Sequence, residues 1–108
     1  MPIYMTQWNY KDTVIHDLIA DPEGRADRSA IARTAIEAFG GKMLGFYFCL
    51  GEYDGLTISE FDDEEAALAC VLAIFGQGNA RTVQTTTLFP PDSVYRAAKH
   101  AHRITLGD

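Results

Sequence analysis

Two carboxylates and a phenol stand together in the stretch Gly51-Glu52-Tyr53-Asp54-Gly55. In extended backbone Glu52 and Asp54 lie on one side, with Tyr53 opposite. A carboxylate pair in a partly dry cleft can hold a proton near neutral pH and serve as general acid or base, so Glu52 and Asp54 are the first catalytic candidates. The competing reading is a turn in which Asp54 caps backbone N–H groups and Glu52 is solvated. His16, in the turn after the first strand, is the histidine placed to approach such a cleft and is the third catalytic candidate; the alternative is an exposed or capping side chain.

Other reactive types lack the spacing their chemistry needs. His100 and His102 are two apart on a helix and point to different sides, so they make no metal pair. Cys49 and Cys70 have no C-x-x-C spacing and read as small buried hydrophobes. Gly76-Gln77-Gly78-Asn79 follows a helix instead of opening one, so its glycines stop that helix and form no phosphate cradle. Neither a metal nor a cofactor is expected. The ligand-binding candidates are Trp8, Tyr47, Tyr53 and Arg81: Tyr47 and Tyr53 share odd parity with Thr57 and Ser59 on the central hairpin, and Trp8 and Arg81 are placed on the same sheet face. Closed by a second subunit, that face would form an apolar pocket with a few polar groups. The same aromatics would equally make the subunit interface itself, where Tyr, Trp and Arg are enriched.

The elements that must hold these residues follow from periodicity. Ile3 to Tyr10 is aromatic-rich without Gly or Pro and reads as a strand, followed by a short turn from Asp12 or Thr13 through Ile19. Asp21 as N-cap and Pro22 at the first position announce a helix whose start Gly24 weakens and whose apolar stripe runs from Ile31 to Phe39; Gly40-Gly41 stops it. Met43 to Leu50 is apolar on both parities, with Leu44, Phe46, Phe48 and Leu50 on one face and Met43, Tyr47 and Cys49 on the other. A tight hairpin connection at 51–55 leads to a third strand, Leu56 to Phe61, in which Leu56 and Ile58 mark the core side and Thr57 and Ser59 the polar side. Asp62 with Glu65 has capping-box spacing before a helix from Ala66 to Phe75 whose apolar residues cover more than one stripe. Arg81 to Phe89 is the fourth strand, and a last helix spans about residues 91–103, with its cations towards the C-terminal end.

With 108 residues the chain is one domain, large enough to bury roughly two-thirds of its unfolded surface. Its formal charge of −6 argues against a nucleic-acid or anionic-membrane partner. Neither a basic-then-apolar leader nor a run of about 18 apolar residues occurs, so a cytoplasmic protein is expected.

The strand and helix order gives an α+β, ferredoxin-like βαββαβ sandwich: a four-stranded antiparallel sheet with two helices on one face, core at about 2–89, plus a C-terminal helix. The second strand is apolar on both faces, and Tyr4, Trp8 and Tyr10 share one parity, so the open sheet face is expected to pack on another subunit. Tyr4, Gly40-Gly41-Lys42, Phe46-Tyr47, Gly51-Glu52-Tyr53-Asp54, the acidic Asp62-Asp63-Glu64 and Gly78-Asn79 before Arg81-Thr82 resemble a GYD-domain protein over Pro2 to Ala98. That small bacterial family is of the dimeric α+β-barrel type and of unestablished role, so the resemblance implies a fold and a homo-oligomer, not a reaction. Two places depart from its pattern: Trp8-Asn9-Tyr10 at the end of the first strand, and Gly55, where the family usually has a larger apolar residue. The first functional expectation is a homo-oligomeric small-molecule-binding or accessory protein. The alternative is a cofactor-independent enzyme, monooxygenase- or isomerase-like, using the carboxylates or His16 with Tyr47 or Tyr53.

Overall fold

Burial alternates strictly along the first strand, and that alternation organises the molecule. The computed structural model describes residues 1–23 and 27–107. In strand β1 (Ile3–Tyr10), Tyr4, Thr6, Trp8 and Tyr10 are buried while the residues between them are half-buried. One face of the strand is therefore covered by the chain itself and the other is not.

Among the described residues β1 is followed by helices α1 (Asp12–Ala20) and α2 (Arg28–Ala38), strands β2 (Lys42–Phe48) and β3 (Gly55–Glu60), helix α3 (Glu64–Gly76), strand β4 (Ala80–Leu88) and helix α4 (Pro91–Thr105). The strands form one antiparallel sheet in the order β2-β3-β1-β4. That order, with helices after β1 and β3, is the ferredoxin-like α+β arrangement expected from the sequence. Helices α2 and α3 cover the even face of β1: Ile36 from α2 and Ala67 and Cys70 from α3 close over Tyr4 and Phe61. Val14 of α1 joins Trp8 and Tyr10 in a second cluster. Gly41, at the turn into β2, lets the backbone approach this core closely, since a Cβ there would lie 2.5 Å from the Phe61 ring.

The faces of the hairpin differ from the expectation. Thr57 and Ser59 pair with Thr6 and Tyr4 and are 5% and 2% exposed, so they face the helices; Leu56 and Ile58 pair with Gln7 and Met5 on the open side. Simple contrast in hydrophobicity named the wrong side, because the covered face is built around aromatic rings and hydroxyl groups. In β2 the register shifts between Met43 and Gly45. The extra residue of this bulge, Leu44, resets the parity, so Met43 and Phe46 both pair with residues of the helix-covered face and Tyr47, opposite Leu56, lies on the open one. The hairpin connection occupies residues 49–54 and is looser than a tight turn, with Gly55 already in β3.

Helix ends were also displaced. Asp12–Ala20 is a full helix, and Asp21 ends it instead of starting the next. Asp27 caps α2, accepting from the backbone N–H of Ser29 at 3.0 Å and of Ala30 at 3.3 Å. These bonds, with the Ser29 hydroxyl foremost, hold the Asp27 carboxyl below the usual range. Gly24 lies outside the described residues. On α3 the cap is Asp63, which accepts from Ala66 N at 2.8 Å, not Asp62. Cys70 on that helix is buried, whereas Leu68 and Leu72 are exposed; the side chain of Phe75 lies outside the described part. Helix α4 has no buried residue, and the molecule measures 63 × 29 × 21 Å. Among the described residues no helix is long and apolar enough to cross a membrane.

Candidate functional site

A cavity of about 100 Å³ lies between the covered sheet face and helices α2 and α3. Its sheet wall is Tyr4, Thr6, Trp8 and Tyr10 from β1 with Thr57 and Ser59 from β3. Its helix wall is apolar, with Ile31, Ala35 and Ile36 from α2 and Ala67, Cys70 and Val71 from α3. Small residues on the helices leave the space, and bulky aromatic residues on the strand bound it. Arg28, at the start of α2, is the one charged residue in the lining, and no Asp, Glu or His of the described residues joins it.

Among the described residues, three lining groups are buried donors without a hydrogen-bond partner: the Tyr4 hydroxyl, the Trp8 indole N–H and the Arg28 Nε. Tyr4 is 5% exposed and Trp8 9%. An unmade bond at a buried donor costs about 1–3 kcal/mol, so three around one space mark a place built to receive acceptors. Burial pushes the Tyr4 phenol up, with Glu64 and Asp63 adding to the rise, so it stays a neutral O–H donor at physiological pH. Burial also raises Tyr10, against the pull of the nearby Trp8 indole and the Arg28 guanidinium and with the support of Asp54. The indole is near enough to favour the Tyr10 phenolate, but its geometry falls short of a hydrogen bond. The Arg28 guanidinium lies over the Tyr10 ring, 5.8 Å from its centroid. Burial pushes the Cys70 thiol up as well, which keeps it in the unreactive thiol form.

The residues singled out in the sequence are dispersed. Trp8 lines the cavity; Tyr47 is 63% exposed on the opposite face of the sheet. Tyr53 donates its hydroxyl to Gln84 of β4, and Arg81 donates from Nε to the Tyr10 carbonyl at 3.0 Å. The shared face expected for these four is thus not formed, because the β2 bulge and the long connection separate them. Asp54 accepts from Tyr10 N at 2.8 Å through Oδ2 and donates its own N–H to the Trp8 carbonyl at 2.9 Å. Its carboxylate fastens the hairpin to the end of β1, as the capping reading required. Glu52 and His16 are exposed and lie outside the cavity lining.

The domain model named GYD domain matches residues 4–98. The chain belongs to the GYD-domain family. Among curated proteins none matches it. Among solved structures, the crystal structure of At3g17210 from Arabidopsis thaliana is similar, at 19% identity and a TM-score of 0.43 over 83% of this chain and 95% of that one.

In this GYD-domain protein the Gly-x-Tyr-Asp stretch is a fastening, with Tyr53 tied to β4 and Asp54 to β1. The two departures from the family pattern also meet in space. Trp8 pairs with Gly55 across the strands, and a Cβ at Gly55 would lie 2.7 Å from the indole ring. The glycine makes room for the tryptophan, which then packs on Phe46 at 5.5 Å between centroids and turns its edge into the cavity wall. Sequence reading missed Tyr4 and Arg28 as site residues. The available signal was the unbroken aromatic and threonine parity of β1 opposite Thr57 and Ser59, a polar pattern on what proved to be the covered face.

Proposed function

We propose that this GYD-domain protein binds a small molecule in the cavity between its sheet and helices α2 and α3, within one subunit. The observation that carries this reading is the set of three unpartnered buried donors on Tyr4, Trp8 and Arg28 around one largely apolar space. A mostly apolar enclosure with a few fixed polar groups is how small-molecule sites are usually constructed. Binding is favoured over turnover because none of the three catalytic candidates reaches the cavity: Asp54 is engaged with β1, and Glu52 and His16 lie elsewhere.

The expected homo-oligomer belongs to this proposal, with a second copy covering the open sheet face and α4. Ile3, Met5, Leu56 and Ile58 are only half-buried on that face, beside the exposed Tyr47. Helix α4 exposes Val94, Tyr95 and Ile104, and it carries Arg96, Lys99 and Arg103 against the single Asp92. The rest of the chain is rich in carboxylates, so a basic, apolar-striped helix is complementary to the acidic body of another copy.

Trp8 is the only tryptophan, so its fluorescence reports the cavity directly. Purified protein extracted under denaturing conditions is expected to release a stoichiometric small molecule, and re-addition should change Trp8 emission saturably. Loss of that saturation in Tyr4→Phe with the fold intact would support the site. Saturable binding unaffected by Tyr4→Phe and by Trp8→Phe, the latter followed by calorimetry, would place the ligand elsewhere and overturn the assignment.

A further inference from the structure

Within the cavity just proposed, the polar groups are not evenly distributed. Tyr4 lies towards the acidic start of α3, where Asp63 and Glu64 raise its phenol. At the other end Arg28 lies over Tyr10, and Trp8 packs against Tyr10 with ring centroids 6.0 Å apart. Among the described residues no carboxylate lies within ion-pairing distance of Arg28, and none lines the cavity. Asp54, whose charge acts on Tyr10, already binds the Tyr10 backbone N–H, and Asp27, next to Arg28 in the chain, is engaged as the cap of α2; neither is part of the lining.

A partly buried guanidinium with its Nε unpaired and no compensating anion among the described residues is an incomplete arrangement. Charged groups withdrawn from water are stabilised by a partner of opposite charge that also accepts their hydrogen bonds. The three fully buried unpartnered groups can all donate, and the Trp8 indole and the Arg28 Nε can only donate, so the component that fits is an acceptor, and at Arg28 an anionic one. The helix wall, supplied by Ile31, Ala35, Ile36, Ala67 and Val71, asks for hydrocarbon beside that anion. Volume sets the scale: an apolar cavity of about 150 Å³ holds benzene, so a space of about 100 Å³ is smaller than that ring's and suits a short acyl chain.

We propose that the ligand is a small monocarboxylate with a short acyl body, its carboxylate at Arg28 and Trp8 and its hydrocarbon against α2 and α3. This rests on the cavity being the binding site. The Tyr4 hydroxyl then meets any second acceptor at the far end of the molecule, such as a carbonyl or ether oxygen.

Matched acids and amides of the same shape separate the charge from the cavity. Propanoate with propanamide, and butanoate with butanamide, would be titrated into the protein while Trp8 emission and the thermal midpoint are followed. The acids are expected to bind at least about tenfold more tightly than their amides, the scale of one charge-assisted hydrogen bond. Arg28→Gln should abolish that preference, bringing the affinity for each acid down to that for its amide in the same variant, and Arg28→Lys, which keeps the charge, should retain part of it. Equal affinity for acid and amide would overturn the carboxylate assignment and leave the cavity as a site for neutral compounds. A preference that survives Arg28→Gln would overturn the role of Arg28. Saturation by none of the four probes at millimolar concentration would sink the cavity as a small-molecule site, and the carboxylate assignment with it.

Discussion

The two faces of the sheet use opposite materials. On the covered face Tyr4, Thr6, Trp8 and Tyr10 stand beside Thr57 and Ser59, so the side closed by the chain's own helices holds the hydroxyl and indole groups. On the open face Ile3, Met5, Leu56 and Ile58 present hydrocarbon. A fold that only minimised exposed apolar surface would reverse this. The inversion teaches that hydroxyl and indole groups line the interior space of the covered face, while the half-buried hydrocarbon of the open face is left uncovered by the chain's own helices.

The largest expected effect lies on the covered face. Phe61→Ala removes a ring that is 3% exposed between Tyr4 and α2, and should lower unfolding free energy in urea by about 3–5 kcal/mol. Ile58→Ala, on the open face, should cost clearly less when measured at concentrations where the protein is monomeric. Equal losses at the two positions would erase the distinction between the faces.

Gly55→Val tests the coupling of the departures from the family pattern. With 2.7 Å between a Cβ there and the indole, the added side chain must displace Trp8, and a loss of about 1–3 kcal/mol is expected together with a shift in Trp8 emission. An unshifted spectrum would mean that the ring and the glycine are not matched. Asp54→Asn weakens the clasp between the hairpin and β1 and should cost about 1.5 kcal/mol, the scale of a hydrogen bond to a charged group. Ligand affinity should be preserved in the folded variant, since a proton carrier in the site would instead show loss of activity at unchanged stability.

Alkaline titration addresses the covered face alone. Tyr4 and Tyr10 are both raised above the ordinary value of 10.0 by burial. Their folded states hold the proton more tightly than the unfolded chain does. The stability they contribute is therefore fully present below pH 10.0 and is lost as pH climbs past it through the raised values. Ultraviolet difference spectra with parallel urea melts should show this decline, and Tyr4→Phe should make it shallower. A decline as steep in Tyr4→Phe as in the parent would remove that phenol from the account.

The smallest expected effect on stability lies on the open face. Tyr47→Asp, at a side chain 63% exposed, should change monomer stability by no more than about 0.5 kcal/mol. It should nevertheless shift sedimentation towards the monomer, because a charge would be introduced into the surface proposed to meet a second copy. Unchanged association would detach Tyr47 from that interface.

Much of the architecture was legible in the residues. Alternation in Ile3 to Tyr10, the apolar stripe ending at Gly40-Gly41 and the acidic start of the third helix are local patterns, and local patterns persist whatever the rest of the chain does. They determined the element order, the antiparallel sheet and membership of the family. Which way each strand faced was a different kind of question. It depended on the bulge at Leu44, on the start of α2 at Arg28 and on the packing of Trp8 over Gly55, each set by partners far away in sequence. Glu52, Asp54 and His16 drew attention because their side chains are reactive, yet reactivity is a property of a residue and a site is a property of an enclosure. Only the tertiary structure brought Tyr4, Trp8 and Arg28 to one space and withheld their partners, because burial and hydrogen-bond satisfaction are decided by what the folded chain places around a group.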